Sequence, residues 1–243
     1  MASNRLTFHC RPVGDRAVLF TLGDRIDAEV NARALECARA VLRSGLPGIV
    51  DVVPAYASLL VHFEPRAWAD RRRAPHVELI AALEPHLLPP APARSNRRDV
   101  ARDRVIPVVY GGSHGPDLER VARHCGMTPD EVVRRHSAAV YRVAFLGFAP
   151  GFPYLLGLDP ALATPRRPTP RTRVEPGAVG IAGAQTGVYP LATPGGWQLI
   201  GRTPRRLFDP TRDPPAWLEA GDRVCFVPID GVRFANAEVA WDD

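Results

Sequence analysis

Arg166, Arg167, Arg171 and Arg173 fall in one short run, separated by Pro168 and Pro170. Proline fixes φ, so these guanidinium groups are mounted on stiffened backbone. A planar fork held in place suits a carboxylate or a phosphate, which it grips with two parallel hydrogen bonds. Gln185, Thr186 and Tyr189 add polar tips downstream, and Gly195-Gly196 before Trp197 permits close backbone approach. Upstream lies "FLGFAPGFPYLLGL", residues 145–158. Gly and Pro interrupt every turn of it, which excludes a long helix, and it is too broken for a plain strand. Phe148, Phe152 and Tyr154 are therefore aromatic groups on a loop framed by Pro150 and Gly151. With Gly195, Gly196 and Trp197 they are expected to wall a pocket or an exposed partner surface beside the arginines. The competing reading is a set of surface loops whose arginines pair with Asp209, Asp213 and Asp222.

Other chemistries are excluded or weakly supported. The chain has no lysine, so all its 31 basic residues are arginine. That removes a P-loop phosphate site, a lysine Schiff base and a biotin-bearing lysine. Cys10, Cys37, Cys125 and Cys225 are widely spaced and read as buried or small core thiols, with no metal site expected. "GGSHG", residues 111–115, matches the G-x-S-x-G of a nucleophile elbow, but the β-rich second half lacks the repeated βα units that fold requires. It reads as a Gly-rich turn before a helix. The net charge of +5 does not read as a nucleic-acid face, because the arginines of the first half are interleaved with Asp and Glu. No apolar run is long enough for a membrane helix and the N-terminus lacks a signal-peptide core, so a cytoplasmic protein is expected.

The elements that must carry these groups divide in two. Residues 6–88 read as ββαββα, with Gly14-Asp15 in a hairpin turn and Asp27 capping a helix. Its apolar stripe is Val30, Ala34, Leu35, Ala38, Val41 and Leu42. Both helices are expected on one face of a small sheet. Residues 89–102 are Pro-rich and polar, a linker. Residues 103–243 open with a strand and two helices, the first opened by Pro116-Asp117 and the second by the capping box Thr128–Glu131. They continue as short β-runs between Gly/Pro turns, the texture of a barrel or sandwich. The chain is thus α+β: a domain over 1–88, a linker over 89–102 and a β-rich domain over 103–243.

"FLGFAPGFPYLLGL", "PRRPTPRTRVEPGAVGIAGAQTGVYP" and "TPGGWQLIGRTP" together resemble the signature blocks of the KipI family, which includes allophanate hydrolase subunit 1 and the 5-oxoprolinase B subunits. The resemblance covers essentially the whole chain. It departs at Leu156, Ala178 and Ser113-His114. It implies a small α/β N-terminal domain and a cyclophilin-like β-barrel. It further implies one part of an ATP-dependent 5-oxoprolinase acting with the A and C subunits of that enzyme, the C subunit being a second cyclophilin-like protein. ATP is then consumed by the assembled complex. On this reading Arg166, Arg171 and Arg202 hold the substrate carboxylate and the developing phosphoryl charge, with Gln185, Thr186 and Tyr189 in polar support and no assigned catalytic base. Two alternatives stay open: a KipI-like inhibitor of a histidine kinase, and the carboxyltransferase half of a biotin-dependent urea carboxylase-type enzyme.

Overall fold

The computed structural model describes residues 8–69, 73–87 and 102–240, without the side chains of 237–240. Contacts divide the chain into two units, residues 1–100 and 101–243. The expected linker, apart from Arg102, lies outside the described residues.

The first unit runs β1 (His9–Val13), β2 (Ala17–Thr21), α1 (Ala28–Arg43), β3 (Ile49–Pro54), β4 (Ser58–Phe63) and α2 (Pro75–Leu87). This is the ββαββα order the periodicity predicts. Gly14, with φ of 63°, makes the β1–β2 turn in a region that a side chain would strain. Asp27 caps α1 by accepting from the Glu29 and Val30 amides. The sheet order is β1-β2-β4-β3, all antiparallel. β4 alternates strictly, burying Leu59, Val61 and Phe63 against Ala34, Ala38 and Val41 of α1 and Leu79 and Leu83 of α2. Leu42 departs from the predicted stripe: it lies off the buried face of α1 and is exposed. The second helix starts at Pro75, the position where proline fits a first turn, with a short 3-10 turn at Pro65–Trp68 before it.

The second unit runs β5 (Asp103–Tyr110), α3 (Leu118–Cys125), α4 (Pro129–Ala138), β6 (Val140–Leu146), β7 (Pro153–Leu156), β8 (Arg171–Val174), β9 (Ala178–Ala182), β10 (Gln185–Val188), β11 (Thr193–Gly195), β12 (Gln198–Arg202), β13 (Arg223–Pro228) and α5 (Gly231–Ala240). Seven strands close a barrel in the order β10-β7-β6-β13-β5-β12-β9, and β10 returns to β9. Closure leaves no free sheet edge in the barrel. The expected α+β class with a closed β-barrel is what the chain forms. β8 and β11 form a separate two-stranded ribbon.

The barrel is filled by Ile106, Val108, Val143, Leu155, Val179, Ile181, Ile200, Val224 and Phe226. His136 of α4 sits among them, fully buried. Its Nδ1 is 2.8 Å from the Tyr110 hydroxyl and its Nε2 is 3.0 Å from Thr186 Oγ1. Thr186 donates its own proton to Gly180 O. It must therefore accept from His136 Nε2–H, which leaves Nδ1 to accept from Tyr110. Burial alone holds the His136 pKa down, at about 3, so the ring is neutral.

The α3–α4 connection follows its local chemistry. Gly126, with φ of 65°, ends α3 in the left-handed region, and Thr128 caps α4 by accepting from the Glu131 amide. Asp117 stands at the start of α3, but its side chain caps nothing there. The spacing predicts a helix opener. The structure turns its carboxylate away, toward the site described next.

Candidate functional site

The loop between β6 and β7 closes on itself: Gly147 N donates to Phe152 O and Phe152 N donates to Ala149 O. This tie forces Phe148 to a φ of 68°, the one described non-glycine residue at positive φ. Such a conformation costs about 1–3 kcal/mol and is kept only where surrounding contacts determine it. The result is that Phe148 projects outward, 62% exposed, while Phe152 turns inward and is 1% exposed. Phe152 is thus not the exposed aromatic that the Gly-Pro loop suggests. It is the hub of a second core cluster with Val174, Tyr189, Trp197 and Leu199. Its ring centroid lies 5.1–5.4 Å from those of Phe148, Tyr154, Tyr189 and Trp197. Glycines make room for this packing. A Cβ on Gly187 would press on the Phe152 ring, and one on Gly195 would run into the Tyr189 hydroxyl.

Over this cluster opens a cavity of about 280 Å³, walled by Phe148, Phe152, Tyr154, Tyr189, Trp197 and Arg166. Gly195, Gly196, Arg167, Pro170 and Pro194 complete its lining. Burial pushes the Tyr189 pKa up to about 12, with the nearby Trp197 backbone amide and Arg166 pulling it the other way. Burial also raises Tyr154 against the same arginine. Both phenols are therefore neutral hydroxyls near a cation, set in an aromatic wall. Pro150 and Gly151 line a shallower depression on the other side of Phe148.

The arginine run is held by a carboxylate that local sequence pattern does not single out. Asp117, only 4% exposed, accepts from Arg171 Nη2 at 2.8 and 2.9 Å, Arg167 Nη1 at 3.0 Å and the Leu199 amide at 2.7 Å. Arg167 N also donates to Gly196 O, and Gln198 Nε2 to Pro165 O. These bonds strap residues 165–171 against β12 and hold Arg166 at the cavity wall. The arginines therefore do not pair as the surface-loop reading expects. Asp222 instead takes Arg102, and Asp209 lies beside Arg206 and Arg212.

The remaining sequence-derived candidates lie elsewhere. Thr186 faces the barrel interior on His136. Gln185 begins β10, paired with Ala182 next to the β9–β10 turn. Arg202 donates to Pro176 O and lies over the Phe234 ring of α5. Arg173 pairs with Glu175 at the surface. Ser113 is exposed, and the neighbouring His114 ring packs tilted against Phe234, with centroids 4.5 Å apart. Gly115 packs onto the Ile200 carbonyl, where any Cβ would collide. The Gly-rich turn thus serves to seat Asp117 on β12. Among the described residues no cluster of His, Cys, Asp or Glu could hold a metal ion, and no helix is long and apolar enough to cross a membrane.

A ββαββα unit and a closed barrel on one chain define the fold class, and known proteins match the chain along most of its length. The chain belongs to the carboxyltransferase domain family, subdomains C and D, whose model matches residues 8–218. It is 40% identical over 226 residues to the B subunit of 5-oxoprolinase from Bacillus subtilis (strain 168), covering 91% of this chain and 93% of that protein. It is 44% identical over 223 residues to the B subunit of 5-oxoprolinase from Escherichia coli O157:H7, covering 90% and 95%. Among solved structures, TTHA0988 superposes with a TM-score of 0.75 at 40% identity. That match covers 89% of this chain but 40% of the solved one, so this chain spans less than half of that longer protein.

Proposed function

We propose that the chain is the B subunit of an ATP-dependent 5-oxoprolinase, acting with that enzyme's A and C subunits. The observation that carries this is identity of 40–44% along nearly the full length of two proteins of that name. The pocket is chemically suited to the substrate. 5-Oxoproline is a small flat lactam ring bearing one carboxylate. Phe148 and Tyr154, backed by the buried Phe152 and Trp197, supply apolar area for the ring, and Arg166 supplies the counter-charge for the carboxylate. The Tyr189 hydroxyl, a neutral donor in the pocket lining, is the group assigned to the lactam carbonyl. ATP supplies the driving force by phosphorylating the otherwise unreactive carbonyl oxygen. Water then opens the ring to glutamate and phosphate leaves.

In this account Arg171 is a positioning residue, because its Nη2 donates to both carboxylate oxygens of Asp117 and its Nη1 donates to Trp197 O. Arg202, Gln185 and Thr186 support the fold away from the pocket. Phe148, exposed at the pocket rim, is the contact offered to the C subunit. The test is Arg166→Gln in the mixture of all three proteins. A lost charge-assisted hydrogen bond of about 1.5–3 kcal/mol predicts a fall in kcat/KM for 5-oxoproline of roughly 10- to 100-fold, with assembly unchanged. Full activity in that variant removes the pocket from the reaction.

A further inference from the structure

A second cavity, of about 170 Å³, lies between β5 and the β12–β13 connection. Among the described residues its wall carries Arg102, Arg104, Arg206 and Arg212 around Trp217, with Asp209 as the one carboxylate. The wall is built rather than a chance meeting of surface side chains. Phe208 bridges to Ala216, Trp217 N donates to Leu207 O, and Asp209 N donates to Pro215 O, so the connection is a closed hairpin-like loop. The Arg104 guanidinium stacks 4.8 Å above Trp217, and Arg205 lies 4.6 Å from the same ring.

The charges do not balance. Arg102 is met by Asp222 at 2.7 and 3.0 Å and by Glu219 at 3.0 Å. Arg104 is 3.8 Å from the same Asp222, beyond hydrogen-bond reach. Arg206 and Arg212 share Asp209 at 3.5 Å each, while its other oxygen accepts from the Thr211 amide and hydroxyl. Among the described residues, Arg102, Arg104, Arg206 and Arg212 face Asp222, Glu219 and Asp209, which leaves the wall one positive charge in excess, a surplus that draws an anion. Arg205 reports the same crowding: burial first, then Arg104 and Arg212, hold its pKa below the ordinary value. Like charges gathered in a partly enclosed, aromatic-walled cavity mark a site for an opposite charge.

We propose that this cavity binds a phosphoryl group, through the guanidinium groups of Arg104, Arg206 and Arg212. A tetrahedral dianion presents acceptor oxygens in several directions at once, as forks on different parts of the wall require; a carboxylate presents two in one plane. The group is either free phosphate or the phosphate end of a nucleotide. The inference stands on this cavity alone and does not depend on the aromatic pocket's substrate.

The test is isothermal titration of the full chain with sodium phosphate, ATP, ADP and sodium glutamate, at constant ionic strength held with sodium chloride. Saturable phosphate binding is expected, weakened at least tenfold in the double variant Arg206→Gln/Arg212→Gln. Both side chains are about half exposed, so the fold should tolerate the change; if the double variant unfolds, Arg212→Gln alone is measured, with at least a threefold loss expected. ATP and ADP binding more tightly than phosphate identifies a nucleotide as the source, and equal or weaker binding identifies free phosphate. No binding beyond that of chloride, no weakening in either variant, or tighter binding of glutamate than of phosphate would overturn the proposal.

Discussion

Asp117 accepts from Arg167, Arg171 and the Leu199 amide, so three separate stretches of chain meet on one buried carboxylate. Removing it leaves two guanidinium groups without their counter-charge in a partly buried place. Asp117→Ala should therefore cost about 3 kcal/mol in urea unfolding, near the low end for a buried pair because both arginines keep about a quarter of their side chains in solvent. A loss below about 1 kcal/mol would show that the strap contributes no more than a surface pair. The two loop phenylalanines should separate in a second measurement. Phe152→Ala empties a filled core position and should lower stability by about 3–5 kcal/mol. Phe148→Ala removes an exposed ring from a strained backbone position, so stability should hold while affinity for the C subunit falls by roughly 2 kcal/mol, the size of an interface anchor. Equal stability losses in both would contradict the division into core and rim.

At the scale of elements, much is legible in the sequence and the failures have a common cause. Alternation and turn chemistry read the ββαββα order and the β-rich second half correctly, because Leu59, Val61 and Phe63 or Thr128 and Gly126 act within a few residues of themselves. Asp117 misleads because an Asp at a helix start looks like a cap, while its true partners lie about fifty residues on. Phe152 misleads because Gly-Pro loops are commonly exposed; its burial depends on the gap that Gly187 leaves on a strand far along the chain. Thr186 joins the polar set for want of any local sign that its strand faces His136. That buried pair carries a pH prediction. In the unfolded chain His136 takes a proton near pH 6.5, whereas in the barrel its pKa is about 3. Between these values the unfolded state binds more protons, so stability falls as pH drops below 6.5, by up to ~1.4 kcal/mol per unit from this residue. Above pH 6.5 the ring contributes no slope. Unfolding free energies from pH 6.5 to 4.5 should accordingly decline less steeply in His136→Gln than in the parent chain, and parallel slopes would refute the assignment.

At the scale of the whole molecule, the family match runs from residue 8 to residue 218 and so through both units. The chain brings a pocket with an aromatic wall and an arginine on a strapped loop, but no lysine for a P-loop, and no residue in the pocket stands out as a general base. A chain built this way is expected to work as one part of an assembly. The most direct measurement is glutamate formation from 5-oxoproline and ATP by the three purified subunits, with this chain present or omitted. The account predicts turnover in the full mixture, and none from this chain alone or from the other two without it. Equal turnover when this chain is left out, or none in the complete mixture, would contradict it.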